Sequence, residues 1–196
     1  MCWWVDFPVF IKRISLVVMN HSDVVKYWFS EKSRQHWFSS TPEIDNEIKQ
    51  RYEKLWINAA SGKLNDWQDS PQGCLALIII LDQFPLNMFR GKAKSFQTEK
   101  LAVKAALKAI DNGYDEILNT DELLFLFMPL MHSENLEHQN MQVKLFEKYD
   151  FNDEYSKHHR DIVKRFGRFP HRNDILGRKS SSKEIKYLLS DSAFKG

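Results

Sequence analysis

The chain is poor in the residues that carry the commonest site signatures. It has two cysteines, Cys2 and Cys74, which neither form a framework nor sit at metal-ligand spacing, so a disulfide scaffold is excluded and nothing points to an oxidising compartment. Its seven glycines fall mostly where helices stop. They supply no phosphate loop, dinucleotide turn or nucleophile elbow. The seven histidines are scattered without ligand spacing, and neither a metal nor a cofactor is expected. No uncharged apolar run reaches the roughly 18 residues of a membrane span, and no turn dipeptides flank alternating apolar runs as a hairpin would need. A cytoplasmic protein without strands is the expectation.

What is present suits a globular domain. The 196 residues are 43% hydrophobic and 28% charged, enough for one sizeable core. Residues 1–18, MCWWVDFPVFIKRISLVV, are apolar but broken by Asp6, Lys12 and Arg13, which does not suit a signal peptide. Two readings stand: an extension that is not native, with translation starting at Met19, or a membrane-surface anchor in which Trp3, Trp4 and Phe7 lie beside Lys12 and Arg13. Residues 19–196 are expected to be a single helical domain.

Helical periodicity runs almost throughout. Ser22 is a candidate cap for a short helix, DVVKYWFS. Thr41-Pro42-Glu43 opens a helix that Gly62 ends, with Ile44, Ile48, Tyr52, Leu55 and Trp56 on one face. Ser70-Pro71 opens QGCLALIIILDQF, apolar all round and therefore central, and Cys74 within it reads as a core residue. Thr98 opens an alanine-rich helix closed by Gly113. Thr120 opens another, which Pro129 should kink or stop. Further helices are expected at about 137–150, 152–166 and 182–190, the last after a serine cap. Short connections favour antiparallel helical hairpins, and the fold class is all-α.

Two polar-aromatic segments stand out against this background, LDQFPLNMFRG at 81–91 and FGRFPHRNDILGR at 166–178. Each places Arg, Asn and Asp or His around a Phe-Pro step, which should end a helix and leave polar groups at its frayed end. Such a place suits a ligand, and it equally suits a lock between helices. Asp82 lies at the unfavourable C-terminal end of the central helix, with Arg90 across the turn as its expected partner. His132 and Glu134 are two apart and cannot face each other on a helix, although His132 could meet His158, His159 or His171. A Ser-His-Asp set from Ser133, a histidine and Asp82 can be written, as in any chain this long. Residues 157–186 hold ten Lys/Arg and three acids, +7, whereas residues 1–156 carry −5. Their arginines either line an anion pocket or pair with acids of the body, among them Asp82, Glu134 and Asp161.

These residues also carry a resemblance. Tyr27-Trp28-Phe29, Trp37-Phe38, Gly62 to Trp67, Leu81-Asp82-Gln83-Phe84-Pro85, Asn87, Phe89-Arg90-Gly91, His132-Ser133-Glu134, His159-Arg160-Asp161 and Phe166 to Asn173 are similar to landmarks of a bacterial family, domain of unknown function 924. The resemblance spans roughly residues 22–191. It implies an all-helical fold similar to tetratricopeptide-like stacks, and it implies no activity. Leu86 departs from it, since the family usually carries Arg there.

The leading functional expectation is a binding module with a polar groove for a peptide or a small anionic ligand, lined by Asp82, Gln83, Arg90, His132, Glu134, His159, Arg168, His171, Arg172 and Asn173. The alternative is an enzyme on a small anionic substrate, with His132 or His171 as general acid or base. Nucleic-acid binding by 157–186 comes last, because Phe166, Phe169 and Tyr187 give little for bases to stack on.

Overall fold

The computed structural model describes residues 19–195, so both readings of residues 1–18 lie outside it. The described chain is helical, without strands. In order come α1 (His21–Trp28), α2 (Glu31–Arg34), α3 (Pro42–Ala60), α4 (Pro71–Leu81), α5 (Gln83–Met88), α6 (Glu99–Asp111), α7 (Thr120–His132), α8 (Leu136–Lys148), α9 (Glu154–Phe166) and α10 (Ser182–Leu188), with 3₁₀ turns between several of them. No helix among the described residues is long and apolar enough to cross a membrane.

α4 is the axis of the fold. Every residue from Gly73 to Leu81 is buried, and the helix packs on α1, α3, α6 and α7. Ser70 caps it and Pro71 takes its first turn, where the missing N–H costs nothing. Gly73 is required there: a Cβ would lie 2.3 Å from the Trp67 carbonyl oxygen. Cys74 is a free, buried thiol, and burial pushes its pKa up to about 11. Consecutive helices α6 to α9 each pack on the next through short connections. A second, smaller apolar cluster of Ile162, Val163, Phe169 and Tyr187 holds the C-terminal segment together.

Several local expectations change. The cap of α1 is Asn20 rather than Ser22, and that of α7 is Asn119 rather than Thr120; each closes a reciprocal box, with Asp23 and Glu122 respectively. In both cases an asparagine one or two residues upstream has its own acid three positions on, which a serine or threonine at the expected place lacks. Pro129 does not stop α7, which runs on to His132. Nor does Phe84-Pro85 end the central helix. The break falls earlier, at Asp82, and Pro85 stands in the first turn of α5, where a proline is tolerated.

Candidate functional site

Asp82 is the C-cap of α4 and the N-cap of α5 at once. The first helix end disfavours its charge and the second favours it. The carboxylate is 4% exposed. It accepts from Gln83 Nε2 at 2.6 Å, and both of its oxygens lie 3.0 Å from His132 Nδ1. His132 is the last residue of α7, held there by buried Gln139, whose amide donates to the Met131 and Ser133 carbonyls that the helix end leaves open.

Arg172 arrives from the other side, on the 3₁₀ turn Pro170–Arg172. Its guanidinium lies 4.6 Å from the Phe96 ring centre and 4.5 Å from that of Phe169. Nη1 donates to Glu99 Oε2 at 2.8 Å, while the buried Nε has no partner among the described residues. Burial raises the Glu99 pKa, and the Arg172 charge offsets only part of that; burial likewise lowers the Arg172 pKa. Leu81, Asp82, Leu86, Ser95, Phe96, Glu99, His132 and Arg172 together line a crevice with ≈ 10 Å³ of free space, about one water. Leu86 makes its wall apolar at the very position where the family resemblance leads one to expect a cation.

The turn that carries Arg172 is locked from below. Glu134 accepts from the Phe169 N–H at 2.8 Å and from both Nη atoms of Arg178 at 2.6 and 2.9 Å. Burial would raise the Glu134 pKa, but these bonds win and hold it below the ordinary carboxylate value. Arg178 also donates to the Phe169 carbonyl and to Asn173 Oδ1. Arg168 pairs with Glu184 through two bonds, which depress the Glu184 pKa strongly. Asn173 Nδ2 donates to Ser180 and Glu184. His159 and His171 pack on Phe194, with ring centres 4.4 and 5.0 Å from it. Burial lowers both imidazole pKa values to about 4, against an opposing Tyr155 carbonyl bond at His159 and reinforced by the Arg172 charge at His171.

Of the ten expected site residues, only Asp82, His132 and Arg172 line the crevice, with Gln83 holding Asp82 from behind. Glu134 sits in the lock, and His159, His171, Arg168 and Asn173 belong to the C-terminal packing. Arg90 is not the partner of Asp82: it donates to Asp45 at 2.7 and 3.1 Å and is 57% exposed. His132 meets Asp82 rather than another histidine. Ser133 is bonded to His138 Nδ1, so serine, His132 and Asp82 form no triad. No group of three or more potential ligands that would suit a metal occurs among the described residues. In 157–186, Lys157, Arg160, Arg168, Arg172 and Arg178 are spent on Asp153, Asp161, Glu184, Glu99 and Glu134. Of the three acids named as partners from sequence, Glu134 and Asp161 do pair with arginine, and Asp82 does not. Nothing in the sequence marks Glu99, an ordinary acid in a helix's first turn, 73 positions from its partner.

No curated protein matches this chain. Among solved structures, a protein of unknown function from Agrobacterium tumefaciens, ATU0120, superposes with a TM-score of 0.81 at 35% identity, covering 86% of this chain and 96% of the other. The profile of the family described as bacterial protein of unknown function (DUF924) matches residues 24–192. Fold, extent and residue pattern agree, and the chain belongs to that family.

Proposed function

We propose that the protein is a binding module for a small anionic ligand, taken at the crevice between Asp82, Glu99, His132 and Arg172. The observation that carries this reading is Arg172. The residue is 6% exposed, its guanidinium is braced by two phenyl rings, and its Nε–H is unpaired among the described residues. An unpaired buried donor costs roughly 1–3 kcal/mol, a cost that an incoming acceptor would remove. Arg offers a planar fork suited to a carboxylate or phosphate. The space for about one water excludes a peptide backbone and admits a single oxygen of an oxyanion.

The test is a thermal-shift series on the whole chain with inorganic phosphate, malonate and a neutral control, in wild type and in Arg172→Lys, which keeps the charge and loses the fork. A ligand at 100 times its dissociation constant adds about 2.7 kcal/mol. Stabilisation by an anion in wild type and its loss in Arg172→Lys support the reading. No shift with either anion, or equal shifts in both proteins, would sink it.

A further inference from the structure

We infer that His132 is a proton-transfer residue acting on the small oxyanion bound in the crevice or on a water beside it. This rests on the anion-binding reading of the same site. The two oxygens of Asp82 are equidistant from Nδ1, at 3.0 Å, and the only other donor to this carboxylate among the described residues is the Gln83 amide. A carboxylate accepts, so Nδ1 must carry the hydrogen. The lone pair of neutral His132 is thereby placed on Nε2. That atom makes no hydrogen bond among the described residues and is not sealed from solvent, the side chain being 20% exposed.

The charges around His132 favour this role. Arg172 is balanced by Glu99, and Glu134 by Arg178. His159, from α9, is kept neutral by its burial. Asp82, from the α4–α5 junction, has no cation among the described residues other than His132 itself. A proton arriving at Nε2 therefore completes an ion pair that is already positioned, with no carboxylate to be brought in. The step balances simply. The O–H bond of the bound acid or water breaks, its electron pair stays on oxygen, and an N–H bond forms at Nε2 while Nδ1 keeps its own hydrogen. Among the described histidines no other is bonded to a carboxylate. His138 is tied to Ser133, and His159 to the Tyr155 carbonyl.

Nitrogen NMR of the histidine-labelled whole chain, above the titration range of imidazole, tests the geometry without a ligand. His132 should be the Nδ1–H tautomer, which free imidazole disfavours, and Asp82→Asn should shift it toward Nε2–H because an amide can donate to Nδ1. An Nε2–H tautomer in wild type overturns the inference. Calorimetry then measures the binding of phosphate and malonate, and nitrogen NMR of the bound form reads where the proton sits. A hydrogen gained at Nε2, with Nδ1 still protonated, is expected; binding that leaves Nε2 bare overturns the inference. Failure of both anions to bind wild type, with the tautomer as expected, removes the anion-binding reading and the inference together.

Discussion

Glu134→Ala should be among the most damaging single changes outside the apolar core. Its carboxylate accepts one bond from the Phe169 backbone and two from Arg178, and both side chains are only about a quarter exposed, at 24% and 23%. Breaking a fully buried pair costs about 3–5 kcal/mol. A hydrogen bond to a charged group is worth about 1.5–3 kcal/mol. Partial exposure screens the pair, so about 2–3 kcal/mol is expected here. At roughly 2–4 °C per kcal/mol for a domain of this size, the melting temperature should fall by about 4–12 °C. Urea unfolding of wild type, Glu134→Ala, Arg178→Ala and the double variant would check the value, and a cycle should return a coupling of about 1 kcal/mol or more. The penalty also has a pH window. The Glu134 pKa is depressed on folding, so its stabilisation is present above the unfolded carboxylate value and is lost as pH falls through the lower folded one. A Glu134→Ala cost within about 0.5 kcal/mol of zero, or no coupling to Arg178, would refute the view that this network locks the turn carrying Arg172.

Three further outcomes follow from individual contacts. His159 is 6% exposed and its pKa drops from 6.5 to about 4, so the unfolded state binds more protons between those values; stability should be full above pH 6.5 and fall toward pH 4 by about 3 kcal/mol from this group, and His159→Gln should flatten that limb in denaturant titrations. Thr98 accepts from Trp56 Nε1 at 3.0 Å and donates to the Leu81 carbonyl at 2.6 Å while 1% exposed, so Thr98→Val strands two buried groups and should cost about 2–4 kcal/mol by urea unfolding. Arg90→Ala breaks an exposed pair and should cost under about 1 kcal/mol; a loss of several kcal/mol would mean that the pair with Asp45 is not screened as a surface pair is.

Much of this architecture was legible in the residues. The Thr41-Pro42 and Ser70-Pro71 starts, the wholly apolar α4, and the stops at Gly62, Gly113 and Gly167 are local events, each set by a side chain within a turn of its effect. The caps expected at Ser22 and Thr120 are Asn20 and Asn119 instead, and these too are local, readable from the acid three positions on. The candidate site was half legible. Asp82, His132 and Arg172 stand out in the sequence as polar residues beside apolar helices, and they line one crevice. Arg90 is near Asp82 in sequence but not its partner in space, because α3 brings Asp45 closer.

The sequence by itself determined an all-helical chain with α4 at its centre, because periodicity, caps and breakers act over a few residues and need no partner. Which acid meets which base was decided only by the tertiary structure. The chain has many carboxylates and many cations, and any of them satisfies Coulomb's law on paper. Burial and helix packing select His132 for Asp82, Glu99 for Arg172 and Arg178 for Glu134, pairs separated by 50, 73 and 44 positions. The crevice that the first two of these pairs enclose exists only once α4, α6, α7 and the turn after α9 have been brought together.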